Sequence, residues 1–455
     1  MISLLLSDIA KHLNAELIGA NASIESVSTD SRNIGRKGLF IALIGERYDA
    51  HDFVPTAIEN GVAAVITSKK QDISVPQLLV SDTRVALGSL GELVRKRVTP
   101  ISIAITGSNG KTSVKEMVSA ILSQQHQVLS TAGNFNNDIG LPLTLLRLET
   151  QHDFGVFELG ANHQGEIDYT SNLVQPQVAL VNNIGQAHIE GFGSLEGVAA
   201  AKSEIYRHLQ PKGVGVYNAD DAFAEQLKRA CYPHSCLSFG IQLTADVTAQ
   251  NLTEDELGQY SFKLRYQDKH TDIKLSLNGL HQVYNALAAA SICLALDIDI
   301  GVIASGLQSV KPVAGRMEPR QLGRVLLIDD SYNANPSSVN AAIDWLSRRH
   351  GNNILVLGDL AELGTEGHAM HQSLGVYAKN NNVQQVFTKG QVSQLTSSAF
   401  GGTHFQNLDA LVLALINEIN QHHGPVNMLV KGSRSAAMEH VVQALSNAYE
   451  REEWS

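Results

Sequence analysis

Residues Ile101 to Leu122 constrain this chain more than any other stretch. Ile101, Ile103 and Ile105 alternate as a strand does, and the segment Thr106-Gly107-Ser108-Asn109-Gly110-Lys111-Thr112-Ser113 then breaks the pattern. Beyond it Val114, Met117, Val118, Ile121 and Leu122 recur at helical spacing. A strand, a glycine-rich loop and a helix in that order are the context of a phosphate-binding loop. Gly107 and Gly110 let backbone N–H groups reach phosphate oxygens with no Cβ in the way. The helix start adds unpaired donors and a partial positive charge. Lys111 can neutralise terminal phosphates, and the Thr112 hydroxyl can bind Mg²⁺. The ligand expected of such a loop is ATP. The full pattern wants a glycine five residues before Gly110, and Ile105 stands there, so the loop is a variant. The plain alternative is a Gly-rich turn with a surface lysine.

The surrounding texture is α/β. Phe40 to Leu43 and Val62 to Thr67 read as short strands, with a helix ending near Asn60 and stopped by Gly61. From about residue 83 strand, loop and helix repeat, with apolar strands at Phe154–Glu158 and Val178–Asn182. Lys311-Pro312 and Gly315 look like a linker, after which strands restart at Val325–Asp329, Ile354–Leu357, Val386–Thr388 and Met428–Lys431. The 455 residues exceed one ordinary domain. Three are expected: a small α/β unit over 1–82, a central unit with a mainly parallel sheet over 83–313, and a second α/β unit over 314–455.

Composition narrows the function. A net charge of -11 argues against general affinity for nucleic acid or an acidic membrane. It leaves room for a small anionic ligand held by local donors. Three cysteines give no disulfide framework and suit a reducing compartment. Cys231, His234 and Cys236 cluster, but a fourth zinc ligand at suitable spacing is missing. The first residues lack the basic head of a signal peptide, and no apolar run is long enough to span a membrane. The expected location is the cytoplasm.

Ligands of parallel sheets sit at the carboxyl ends of strands, so the polar residues ending the strands are the ones to weigh. Glu158 ends one strand and could hold Mg²⁺ directly or through water. His188 follows another. Taken alone, each reads as a structural residue; beside a phosphate loop in the same sheet, each reads as a site residue.

Several segments, in order along the chain, resemble the Mur ligases of peptidoglycan synthesis. They are the loop Thr106–Thr112, Gly133-Asn134-Phe135-Asn136-Asn137-Asp138-Ile139-Gly140-Leu141-Pro142, Ala201-Lys202-Ser203-Glu204, Asp329-Asp330-Ser331-Tyr332-Asn333-Ala334-Asn335-Pro336 and Lys431-Gly432-Ser433-Arg434. The last two favour the members that join D-alanyl-D-alanine to UDP-N-acetylmuramoyl-tripeptide. The resemblance covers essentially the whole chain. It implies a P-loop ATPase centre, a Rossmann-like C-terminal domain and a monomer that forms an amide through an acyl phosphate.

The resemblance also implies roles. Lys111 would contact the ATP phosphates, Thr112 and Glu158 would bind Mg²⁺, and His188 would bind a second Mg²⁺. Lys202 resembles the lysine that is carbamylated in relatives and so becomes an anionic metal ligand; a plain surface or ion-paired lysine is the alternative. Asn285 resembles the nucleotide-base contact. Relatives usually have His-Asn where this chain has His281-Gln282, which weakens any role for residue 282. Arg316 and Asp330 look like residues that close over the nucleotide. Ser28-Thr29-Asp30-Ser31-Arg32 and the run Tyr48 to Phe53 resemble UDP-binding elements. Without the resemblance, the first of these is a polar turn with a surface ion pair. Asn134, Asn137, Asn333 and Asn335 are candidate substrate contacts. Lys431 and Arg434, by charge and motif, are candidates for the dipeptide carboxylate.

Two other functions compete. One is a sister ligase that adds a single amino acid, or glutamates to a folate. Members that add a diamino acid carry an Asp-Asn-Pro-Arg run, and Asn335-Pro336-Ser337 is the nearest approach here. The other is a nucleotide sensor without turnover, which has no need of a second metal.

Overall fold

The computed structural model describes residues 1–187 and 189–451. His188 therefore lies outside the described residues. Among those described, three large sheets follow one another along the chain.

The first sheet has five strands, ordered Glu16–Ile18, Gln77–Leu79, Ala64–Thr67, Gly38–Ile41 and Ser26–Ser28. All neighbours are parallel except the first pair. The expected strand at Phe40–Leu43 begins and ends two residues earlier. Gly61, at φ +81°, follows the helix Val54–Glu59 as its stop.

The second sheet has nine strands. Its parallel part centres on Ile101–Thr106, flanked by Phe154–Glu158 and Val178–Val181. These three strands are almost wholly buried, as continuous apolar runs between two helical layers must be. Beyond Val214–Asn218 and Ser235–Gly240 the sheet changes character. Val247–Glu254, Gln259–Tyr266 and Lys269–Asn278 form an antiparallel edge, a feature the repeating strand–helix texture does not announce. Alternation explains it: Tyr260, Phe262 and Leu264, then Ile273, Leu275 and Leu277, point inward while the residues between them do not.

The third sheet has six strands, ordered Glu318–Leu322, Val325–Asp330, Val426–Lys431, Asn352–Gly358, Gln385–Lys389 and Thr403–Phe405. Only its first pair is antiparallel.

Packing ties these layers together. One apolar cluster runs without a break from Leu6 and Leu39 to Ala104, Phe157 and Val181. Leu87, Leu90 and Val94 of the helix Thr83–Val98 lie in it, so that helix joins the first sheet to the second. The other face of the second sheet packs against the helices Lys111–Leu122 and Leu280–Leu294. Ala286, Ala288, Ala289 and Ala290 are fully buried there, and their small side chains let the Leu280–Leu294 helix sit close to its neighbours.

Gly306 shows how close this layer is. It lies on the helix Ile300–Ser309, and a Cβ there would stand 2.5 Å from Ile121 Cα of the phosphate-loop helix. Helix propensity alone favours Gly→Ala by about 1 kcal/mol. Overpacking against backbone costs about 1–3 kcal/mol and decides the sign. Gly306→Ala is therefore expected to lower the urea midpoint; a raised midpoint would show that the two helices separate freely.

Candidate active site

The phosphate loop is held from several sides. Thr106 is buried, and its Oγ1 donates to Leu159 O at 2.8 Å. Ser108 Oγ accepts from Gly185 N at 2.8 Å, and Asn109 N donates to Asn183 Oδ1 at 2.8 Å. Gly110 stands at φ +78° just before the helix Lys111–Leu122. A Cβ on Gly110 would collide with the amides of Asn285 and Asn182, so only glycine keeps this cradle open. Lys111 Nζ folds back onto Gly107 O at 2.7 Å. Desolvation holds its pKa below the ordinary lysine value; Glu158 opposes that shift and Arg316 adds to it.

Glu158 lies at the end of its strand, 3% exposed. It accepts from Thr112 Oγ1 and from Asn136 Nδ2, both at 2.8 Å. Arg316 Nη2 donates to Thr112 Oγ1 at 2.9 Å. The guanidinium of Arg316 also lies 4.2 Å from the Tyr332 ring centroid, and that of Arg434 lies 5.9 Å from it. Lys431 Nζ donates to Asp330 Oδ2 at 2.6 Å and to Asn333 O at 3.0 Å.

These groups share one cleft of about 800 Å³ between the second and third sheets. It is lined by Ser108 to Ser113, Asn134, Asn137, Glu158, Asn285, Arg316, Asp330, Asn333, Asn335, Lys431 and Arg434. Across it the two sheets' units touch directly. Asn109 Nδ2 donates to Ser337 Oγ at 2.9 Å, and Asn335 Nδ2 donates to Asn109 Oδ1 at 2.8 Å. Asn335 also caps the helix Pro336–Ser347 by accepting from Ser338 N.

Three family models match the chain along its length. "Mur ligase family, catalytic domain" matches residues 23–126, "Mur ligase middle domain" 105–293, and "Mur ligase, glutamate ligase domain" 315–448. A UDP-N-acetylmuramoyl-tripeptide–D-alanyl-D-alanine ligase of Escherichia coli (strain K12) is 46% identical over 98% of this chain and 99% of its own. The chain belongs to the Mur ligase family. Its fold superposes on a crystal structure of MurF from Acinetobacter baumannii with a TM-score of 0.93, at 37% identity, over 97% of this chain and 98% of that one. A MurF ligase of Thermotoga maritima, solved in complex with ADP, gives a TM-score of 0.85 at 26% identity over 94% and 98% of the two chains.

Some residues expected in this Mur ligase's site stand apart from the cleft. Ser28, Thr29, Asp30, Ser31 and Arg32 form a turn at the first sheet. Asp30 accepts from Arg32 Nε at 2.9 Å and Nη2 at 2.8 Å, and those hydrogen bonds lower its pKa to about 2. That is the geometry of a polar turn with its own ion pair. Lys202 also lies outside the lining, on the helix Leu195–Ser203. It is not a surface lysine. It is 1% exposed, with no hydrogen bond or ion pair among the described residues, and its Nζ lies 5.9 Å from the Phe192 ring centroid. Burial first, and then the charge of Lys111, push its pKa well below the ordinary lysine value.

Other residues of the site have no role assigned from the sequence. Asn136 holds Glu158, and Asn182 and Asn183 hold Asn109. Asn182 and Asn183 follow the strand Val178–Val181, the position where strand-end ligands gather. Gln282 has a place after all: its Oε1 accepts from Asn285 Nδ2 at 3.0 Å, and Asn285 Oδ1 accepts from Asn182 Nδ2 at 3.0 Å.

The site fits the groups the sequence points to. Gly110 just ahead of the helix start, with Lys111 beside it, suits a bound phosphate ester. The Thr112 hydroxyl and Glu158 carboxylate are hard oxygen donors of the kind Mg²⁺ prefers.

Lys202 yields a sign that can be checked. Its folded pKa is depressed, so the unfolded chain binds more protons below the ordinary lysine value of about 10.4. Stability should therefore rise with pH towards that value. Lys202→Met should remove this slope and leave the midpoint at pH 7.5 unchanged or raised. A loss of stability of about 3 kcal/mol or more, as for a broken buried pair, would show a partner for the amine.

Proposed function

We propose that this protein joins D-alanyl-D-alanine to UDP-N-acetylmuramoyl-tripeptide, forming an amide at the cost of ATP. One observation carries the reading. A phosphate loop and a pair of cations, Lys431 and Arg434, face each other in one cleft, and the relatives that match end to end bear the name of this ligase.

The chemistry follows from the substrates. A carboxylate is a poor acyl donor because oxide is a poor leaving group. Transfer of the γ-phosphoryl group to the carboxylate breaks the bond to ADP and forms an acyl phosphate. The free amine of the dipeptide then attacks the carbonyl carbon. The tetrahedral adduct collapses, the amine nitrogen gives up its proton, and inorganic phosphate leaves. Phosphates and a carboxylate must meet for this, and their mutual repulsion is the barrier to assembly. Lys111, Arg316 and the amides of the helix start face that charge. Thr112 and Glu158 would hold Mg²⁺, which when bound neutralises phosphate charge. His188 is assigned the family's place as a ligand of a second Mg²⁺.

We assign Lys202 the family's modified lysine. A neutral buried amine can add CO₂ and release a proton, which replaces the amine with an anion near Lys111. Asn285 and Asp330 are assigned to the nucleotide, and Asn134, Asn137, Asn333 and Asn335 to the reacting substrates. Lys431 and Arg434 are assigned to the dipeptide carboxylate. Residues 28–32 are assigned to the uridine end of the long substrate, away from the cleft. The division into 1–82, 83–313 and 314–455 then separates the UDP, ATP and dipeptide tasks. The substrates are small and soluble, no described helix is long and apolar enough to cross a membrane, and the reading places the enzyme in the cytoplasm.

Phosphate release is the direct test. It should require UDP-N-acetylmuramoyl-tripeptide, ATP and D-alanyl-D-alanine together; stimulation by free amino acids alone would point to a sister ligase. Lys111→Ala should lower kcat by about 10³-fold, as loss of a charge-stabilising donor does, with an unchanged circular dichroism spectrum. Near-normal turnover in that variant would remove Lys111 from the mechanism.

A further inference from the structure

The helix Pro336–Ser347 is anchored at both ends to the unit that holds the phosphate loop. Its start is the Asn335–Asn109–Ser337 contact. Its far end, roughly 15–20 Å along the axis, meets the antiparallel edge of the second sheet. Trp345 is 3% exposed, and its Nε1 donates to Leu257 O at 3.3 Å. Arg348 Nη1 donates to Glu254 Oε2 at 3.2 Å and to Tyr260 Oη at 2.9 Å. Arg349, itself buried, pairs with Glu254 Oε1 and donates to Glu256 O at 2.6 Å and Asp255 O at 3.3 Å. Its guanidinium lies 5.2 Å from the Trp345 ring centroid.

The hairpin tip is shaped for this contact. Gly258 stands at φ +80°, and a Cβ there would come within 2.8 Å of Trp345 Cδ1 and 3.3 Å of Arg349 Cζ. Gly258 O in turn accepts from Gly279 N at 2.8 Å. Gly279 precedes the helix Leu280–Leu294, which carries Gln282 and Asn285 to the back of the phosphate loop. None of Trp345, Arg348, Arg349 or Glu254 lines the cleft.

We propose that Trp345, Arg348 and Arg349 form a latch with residues 254–260 that holds the C-terminal unit closed over the phosphate loop. They are positioning residues for the amide-forming step, and this role rests on the ligase reading above. The chemistry of the contact suits a closure that is made and broken. Glu254 and Arg348 keep part of their exposure, so water can reach the pair when the helix lifts. Arg349 keeps one acceptor, Trp345 O, in its own unit, while its carboxylate partner Glu254 and the carbonyls of Asp255 and Glu256 come only from the other unit. The Asn109 contact and the Arg316–Thr112 hydrogen bond both lie at the cleft and leave the far end of the helix unheld. The second anchor fixes its angle, and with it Lys431 and Arg434 against Lys111.

The test compares the full-length enzyme with Arg349→Ala, Arg348→Ala and Glu254→Gln. The readouts are kcat, KM for each substrate, affinity for a non-hydrolysable ATP analogue by calorimetry, and small-angle scattering with that analogue and the UDP-substrate bound. The latch requires Arg349→Ala to lower kcat tenfold or more and to raise KM for D-alanyl-D-alanine. Affinity for the analogue, held mainly by the phosphate loop, should stay within threefold. The radius of gyration should rise above that of the wild type under the same ligands, and Arg349→Lys should restore part of kcat. Arg348→Ala and Glu254→Gln should shift the same quantities in the same direction, and they carry the test if Arg349→Ala does not fold. A kcat and a scattering profile within error of wild type in the folded variants would overturn the latch. Failure of the ligase reading would look different, because the wild type itself would then release no phosphate with D-alanyl-D-alanine.

Discussion

The side chain of Asn109 joins two units of this protein, and the cleft depends on that contact. Asn109 belongs to the phosphate loop, while Asn335 and Ser337 belong to the start of a helix in the C-terminal unit. Neutral amides and a hydroxyl suit this joint better than charged groups. They hydrogen-bond without adding repulsion to a place that must receive phosphates. They also break at modest cost, since a net hydrogen bond between neutral groups contributes about 1 kcal/mol.

Charge inside the cleft is arranged by the same geometry. Lys111 is held on its own loop, Arg316 reaches Thr112 from the C-terminal unit, and Lys431 is held by Asp330. Cations therefore come from both sides of the joint. Bringing the sides together assembles the positive field that phosphates and a carboxylate require. The Tyr332 ring gives Arg316 and Arg434 an aromatic face, and Arg434 also pairs with Glu439 at 2.8 Å.

Much of this was legible in the residues. The strand, loop and helix around Lys111 stand where alternation and helical spacing put them, because those patterns report burial on one face. The strand Phe154–Glu158 ends where its apolar run ends, and Glu158 meets Thr112 as two polar strand-end groups of one parallel sheet can. The ordered motifs pointed to the Mur ligases, and the family models match the same stretches. The antiparallel edge at residues 247–278 was not read, because its alternation lies in a chain otherwise patterned as strand and helix. Asn136, Asn182 and Asn183 were not singled out, because an asparagine's partner depends on which loop the fold brings to it.

The sequence by itself determined the phosphate loop, the α/β texture and the family, since each rests on residues close together in the chain. Only the tertiary structure decided that Lys202 is buried, and that Glu254 meets Arg348 and Arg349. The physical reason is separation. Glu254 and Arg349 lie 95 residues apart, and a contact over that distance is set by how sheets and helices pack, which no local pattern encodes.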